Sequence, residues 1–288
     1  MKVGLSIYSL YQALRTGEMT PEDAVNWIAD NGADHMEVVD LPLFRETPGA
    51  LDALLCTAGE RGLPISAYSI FANILAGEHD DFEREMERVY SEIDTAKKMD
   101  APVMRSDLAE WGRPPEQNVI EQFERDLPQM VDGCRRMAGY AARQGIIVTV
   151  ENHGTYINGG DRVRRLITSV DVPNFRCTLD VGNSLCVDAD PFVTVKTLLP
   201  FAATLHFKDF YVRKAPFQPD EGKWLTTNFG TCLRGSIVGH GDVDVSGIAA
   251  YIREQGYNGT VSIEFEGMED CRAGSKLGMD CVRTLLND

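Results

Sequence analysis

Eight short apolar runs, each followed by an amphipathic stretch of helical spacing, predict an α/β fold: a single (β/α)8 barrel, a TIM barrel, over residues 1–288 with an extended loop after strand seven. Two further observations point the same way. No Gly-x-Gly-x-x-Gly follows the first run, which weakens a dinucleotide-binding doubly wound sheet. The chain has 288 residues; at about 150 per domain that length admits two domains, but barrels of this size are commonly one.

The strand runs are Val3 to Tyr8, His35 to Val39, Pro64 to Ile70, Pro102 to Arg105, Ile146 to Glu151, Phe175 to Asp180, Thr204 to Lys208 and Thr260 to Glu264. Helical punctuation fills the gaps. Pro21 to Asn31 has Thr20 as N-cap, Pro21 at the favoured first position and Gly32 to close it in a left-handed conformation. Asp81 to Met99 sets Phe82, Met86, Val89, Ile93 and Ala96 on one face against Glu, Arg and Lys on the other. Gln117 to Gln144 is a longer helix ending at Gly145, just before the apolar Ile146-Ile147-Val148-Thr149-Val150. The connection from Lys208 to a helix near Val245 is too long for a plain turn and is rich in Gly, Pro and aromatics. It reads as a lid, a substrate wall or a subunit contact.

Hydrophobic residues at 43% and charged residues at 25% are the balance of a soluble globular protein. Lys and Arg total 28 against 44 for Asp and Glu, and the net charge of −16 argues against a nucleic-acid partner. No apolar run approaches the roughly 20 residues of a membrane span. Met1 to Tyr8 lacks a small-residue cleavage site and reads as a first strand, so a mature cytoplasmic protein is expected. The seven cysteines are odd in number, scattered and never paired as Cys-x-x-Cys, which predicts reduced, buried thiols and neither a disulfide frame nor a zinc knuckle.

In a barrel the reactive groups sit where strands end. Four polar residues end the consecutive runs five to eight: Glu151 in Thr149-Val150-Glu151-Asn152-His153, Asp180 in Thr178-Leu179-Asp180-Val181-Gly182-Asn183, His206 in Leu205-His206-Phe207-Lys208-Asp209, and Glu264 in Ser262-Ile263-Glu264-Phe265-Glu266. Any one of them alone is as well explained as a helix cap or an ion-pair member. Three carboxylates and an imidazole brought together repel one another and lose solvation unless a cation compensates them. An oxygen-rich set with one nitrogen and no thiolate suits Mn²⁺ best, with Mg²⁺, Co²⁺ and Zn²⁺ also compatible.

On the segments Val150-Glu151-Asn152-His153, Leu179-Asp180-Val181-Gly182-Asn183, His206-Phe207-Lys208-Asp209 and Ile263-Glu264-Phe265-Glu266, nearly the whole chain resembles the xylose isomerase-like sugar isomerase and epimerase superfamily. Its members include ketose 3-epimerases, inosose dehydratases and apurinic-site endonucleases. The resemblance implies the barrel fold, Glu151, Asp180, His206 and Glu264 as metal ligands, the two glutamates as acid and base in the epimerase branch, and a homo-oligomer. Two positions depart from the pattern. Asn183 stands where many relatives have a histidine, and an amide cannot shuttle protons at neutral pH. Ile157 stands where ketose epimerases tend to carry a further glutamate.

The expected activity is metal-dependent proton abstraction next to the carbonyl of a keto sugar, with Glu151 and Glu264 on opposite faces of the reacting carbon. His153 is a further acid or base, a substrate partner or a structural loop histidine. Asn183, Lys208 and Arg213 are expected substrate contacts. Arg213, Lys214, Lys223 and Arg234 make the long loop basic, to hold a phosphate or carboxylate or simply as a solvated face. Tyr211, Phe217 and Trp224 stack on a sugar or pack the loop, Glu266 orients a ligand, and His35, His79 and His240 have structural roles. The rival readings are a lyase on the same metal site, an apurinic endonuclease and a non-catalytic sugar-binding protein. Five histidines and a charge of −16 oppose the endonuclease, which needs more ligands and a basic groove.

Overall fold

The computed structural model describes residues 1–75, 77, 79–219 and 221–287. Eight strands close into a parallel barrel in the order β1-β11-β7-β6-β5-β4-β3-β2. They are β1 (Lys2–Ser6), β2 (Met36–Val39), β3 (Ile65–Ile70), β4 (Val103–Ser106), β5 (Ile147–Glu151), β6 (Phe175–Asp180), β7 (Ala202–Phe207) and β11 (Thr260–Ile263). Each coincides with a run expected from the sequence, with no end displaced by more than two residues. The helices are α1 (Tyr11–Thr16), α2 (Pro21–Asp30), α3 (Pro42–Glu46), α4 (Ala50–Arg61), α5 (His79–Lys98), α6 (Ile120–Ala142), α7 (Gly160–Val170), α8 (Pro191–Leu198), α9 (Val245–Glu254) and α10 (Cys271–Asn287). No helix among the described residues is long and apolar enough to cross a membrane.

The chain forms two compact units. In the first, Met1–Ser66 with Thr204–Asp288, α2 opens as expected: the Thr20 side chain accepts from Asp23 N–H and the Asp23 side chain accepts from Thr20 N–H, a reciprocal cap just ahead of Pro21. Gly4 is obligatory in β1, because a Cβ there would lie 2.2 Å from the carbonyl oxygen of His35. His35 is buried against this strand, and burial holds its pKa below the usual histidine value, in keeping with a structural role.

The segment after β7 is not a plain loop. It contains β8 (Asp209–Arg213), β9 (Leu225–Thr226) and β10 (Cys232–Ser236), an antiparallel sheet in the order β8-β10-β9. Asp209 ties it down: one carboxylate accepts the backbone N–H groups of Phe210, Gly239, Gly241 and Val243. Those bonds fix both ends of β8–β10 and the chain leading to α9.

In the second unit, Ala67–Ala203, α5 buries Phe82, Met86, Val89, Ile93 and Ala96 as its periodicity requires. Helix α6 starts at Ile120, later than the expected Gln117, because Pro115–Gln117 form a separate 3-10 turn and Val119 is extended. A proline pair at Pro114-Pro115 favours that break, since the first of them cannot remain helical before the second.

Candidate metal centre

Strand geometry alone places the four residues expected from the sequence. Side chains alternate along a strand, so residues two apart share a face. Glu151 is registered opposite Thr178 of β6, and Asp180 lies two residues beyond Thr178. On the other unit Ser262 of β11 is opposite His206 of β7, and Glu264 follows two residues later, its N–H donating to the carbonyl of Phe207 at 3.0 Å. All four side chains are buried, and one ligand atom from each lies within 4.8 Å of all the others. A hydroxyl stands two residues before each of them: Thr149, Thr178, Thr204 and Ser262, all buried. Thr149 and Thr178 bond each other at 2.7 Å, and Thr204 bonds Thr260 of the neighbouring strand at 3.0 Å. A hydroxyl layer thus sits one step below the acids and the imidazole.

The second unit holds its two carboxylates by local bonds. Asp180 Oδ1 accepts the N–H groups of Gly182 and Asn183, each at 2.7 Å, so the turn after β6 fixes the rotamer. Asn152 uses its amide like a strand backbone: Oδ1 accepts from Asp180 N–H and Nδ2 donates to Asp180 O, both at 2.9 Å. Asn183 Nδ2 donates to Glu151 Oε1 at 3.3 Å. The guanidinium of Arg105, at the end of β4, forms a tight ion pair with Glu151 and reaches Asp107 at 3.1 Å. Asp107 also meets Nδ1 of His153 at 3.2 Å. Burial alone lowers the pKa of His153, but the charge and hydrogen bond of Asp107 outweigh it and the net direction is upward.

The first unit holds the other two. His206 Nε2 lies 2.7 Å from Glu37 Oε2, and Nδ1 lies 3.5 Å from Glu264 Oε1. A buried carboxylate at Nε2 keeps the ring proton on that nitrogen and leaves the Nδ1 lone pair as the donor to a cation. Glu37, in β2 and fully buried, was not among the residues singled out in the sequence; its signal is a lone carboxylate in the apolar run Met36-Glu37-Val38-Val39. Lys208 bridges Glu264 at 2.8 Å and Glu266 at 2.9 Å. Burial first, then the charge of Glu266, pushes the nearby Tyr8 phenol up to about 12, so it remains a hydrogen-bond donor at neutral pH.

The donor set fits a divalent cation. Its atoms are carboxylate oxygens and one imidazole nitrogen, with no thiolate. Glu37, Glu151, Asp180 and Glu264 are four buried carboxylates, and Arg105 and Lys208 are the buried cations paired with members of that set. Arg105 and Lys208 are shared with Asp107 and Glu266, so these two cations leave the carboxylates net negative, a field that favours a divalent ion.

A model of the family described as xylose isomerase-like TIM barrel matches residues 25–285. The chain belongs to that family. No curated sequence matches it. Among solved structures it is similar to the 3-keto-D-glucoside 4-epimerase of E. coli in its apo form, at 17% identity over 99% of both chains with a TM-score of 0.72. It is also similar to the probable 3-DHS dehydratase AsbF of Bacillus anthracis, at 20% identity over 98% of this chain and 99% of that one with a TM-score of 0.71. A third is the IOLI protein with a bound zinc atom, at 13% identity over 100% and 98% of the two chains with a TM-score of 0.77. At these identities the likeness is one of fold.

Within this xylose isomerase-like barrel, the remaining expected site residues divide. Asn183 touches Glu151 with its side chain and Asp180 with its backbone N–H, and Lys208 touches Glu264. Arg213 does not: it ends β8, pairs with Asp242 at 3.0 Å, donates to the carbonyl of Val212 and lies over the ring of Tyr211. Arg234 occupies the faces of Tyr211 and Trp224, with its guanidinium carbon 5.3 and 4.7 Å from the two ring centres, and Phe217 packs on Trp224 at 4.9 Å. Those aromatics therefore serve the three-stranded sheet. Ile157 is buried, and His240 is exposed in a turn.

Proposed function

We propose that this protein is a divalent-metal-dependent isomerase or epimerase that moves a proton next to the carbonyl of a keto sugar or sugar derivative. One observation carries this reading: the buried quartet Glu151, Asp180, His206 and Glu264, whose ligand atoms lie within 4.8 Å of one another. In it those four residues hold the ion, Mn²⁺ before Mg²⁺, Co²⁺ or Zn²⁺. A metal so held supplies Lewis-acid stabilisation of the oxyanion that develops when the proton leaves.

The chain's own groups do the rest. Glu264 takes the proton on one side of the reacting carbon and Glu151 returns it on the other, which inverts the centre. Arg105 and Asn183 orient Glu151, and Lys208 orients Glu264 and contacts a substrate oxygen. His153, backed by Asp107, serves as a substrate hydrogen-bond partner or an additional acid. The test is metal analysis of the purified protein, then incubation with keto sugars in D2O. Deuterium enters beside the carbonyl with the native protein, and Glu264→Gln abolishes its entry while leaving the fold intact; undiminished exchange in that variant would remove Glu264 from the chemistry.

Lys208 also gives the elimination alternative a specific footing. In that reading the ammonium that bridges Glu264 and Glu266 protonates a leaving group on the carbon next to the carbanion, and the similarity to AsbF supports it. An unsaturated or deglycosylated product in the same incubation, in place of an epimer, selects the lyase.

A further inference from the structure

A cavity of about 340 Å³ opens in the first unit between the start of α1, the chain after β11 and the segment before β9. Tyr8, Tyr11, Arg15, Lys223 and Glu266 line it. Glu266 is also one end of the Lys208 bridge, so a single side chain separates the cavity wall from Glu264. The rings of Tyr8 and Tyr11 are stacked, with centres 5.7 Å apart and planes inclined by 9°. A parallel pair of half-buried rings extends readily to a third flat ring in the same stack.

Its electrostatics are equally specific. Arg15 and Lys223 are both exposed on this cavity, and neither has an ion-pair partner among the described residues. By contrast Arg213, Arg272 and Lys276 each sit on a carboxylate. In a chain of net charge −16, two uncommitted cations facing one hollow favour an anionic group there.

We infer that this cavity is a subsite for the part of the substrate remote from the reacting carbon, and that it takes a planar aglycone ring bearing an acidic substituent. The substrate is then a glycoside of such a ring and not a free monosaccharide. This rests on the proposed keto-sugar chemistry for the location of the reacting carbon, but its energetic signature is separate. The ring lies against the Tyr8–Tyr11 stack, and its acid group meets Arg15 and Lys223.

The experiment is calorimetric titration of the manganese-loaded protein with methyl, phenyl and p-carboxyphenyl β-D-glucosides. The phenyl compound should bind roughly fivefold more tightly than the methyl one, the worth of an aromatic pair. The carboxylate should add roughly threefold more, and that part should fade at high salt. Tyr11→Ala should erase the first increment and spare the second. The double variant Arg15→Gln, Lys223→Gln, whose side chains are exposed, should do the reverse with unchanged melting temperature. Equal affinity for the three glucosides, no binding of the carboxyphenyl compound, or increments that survive both variants would overturn the subsite. Loss of metal binding or of deuterium exchange bears on the proposed reaction instead, since the same titration run without manganese still reads the increments.

Discussion

Glu37 and His206, 169 positions apart in the chain, meet at 2.7 Å with both side chains buried. The contact sets which imidazole nitrogen faces the quartet, because a proton held on Nε2 by a carboxylate leaves Nδ1 unprotonated and more basic. Glu37→Gln keeps the volume but removes the charge and allows the ring to turn or change tautomer. Manganese affinity should fall by roughly 10- to 100-fold, the usual cost of losing such an outer partner. A titration monitored by bound-metal analysis checks it; an unchanged dissociation constant would show that the pair only fills the core.

Removing a bound ion should cost stability, since the carboxylates of Glu151, Asp180 and Glu264 converge within the 4.8 Å span of the quartet and repel one another there. At manganese a hundredfold above its dissociation constant, mass action stabilises the folded chain by about 2.7 kcal/mol relative to the chelated protein. For a chain this long that is a rise of roughly 5–10 °C in melting temperature. Thermal melts with EDTA and with added Mn²⁺ measure it, and coincident melts would mean that Arg105 and Lys208 already balance the site.

Lys208 separates orientation from chemistry. Its ammonium bridges Glu264 and Glu266, so Lys208→Met leaves Glu264 more exposed to a cation's attraction while deleting the proposed substrate contact. Metal affinity should hold or tighten, whereas turnover falls by roughly 10²- to 10⁴-fold, the range for losing a positioned proton donor. Parallel loss of metal binding and turnover would mark Lys208 as a scaffold for Glu264 alone.

Much of this was legible in the chain, for reasons the structure makes plain. The barrel strands are buried on both faces and so read as largely apolar runs, a pattern that needs no partner to be seen. The quartet was legible because Glu151, Asp180, His206 and Glu264 each lie at, or within one residue of, the end of such a run. The hydroxyl two residues before each would have strengthened the reading, since it marks the inward face. Glu37 and Arg105 were not legible. Their partners lie on strands far along the chain, and the one local mark, a lone charge within an apolar run, does not tell which group it faces. The β8-β10-β9 sheet was missed for a similar reason: β9 has two residues, and β8 pairs with a strand that begins 19 positions after its end, too short and too distant for alternation to register.

Asp209 follows Lys208 directly, and the same short segment that carries a candidate substrate contact also anchors the sheet beyond it. Its carboxylate draws in the N–H groups of Gly239, Gly241 and Val243, and burial pushes its pKa up despite those bonds. The fit at Gly241 is tight: a Cβ there would lie 2.2 Å from Asp209 Oδ1 and 2.5 Å from Ser236 Oγ. Gly241→Ala must therefore displace the carboxylate or the turn. Overpacking of this kind costs about 1–3 kcal/mol. The melting temperature should drop by roughly 2–12 °C. Because Lys208 is the next residue in the chain, the variant should also lower turnover at saturating metal. Replacing Asp209 with alanine in the same background tests the mechanism: if the clash with Asp209 is the cause, part of the loss from Gly241→Ala should be absent when the carboxylate is already gone. Fully additive losses in that double-mutant cycle would place the strain elsewhere.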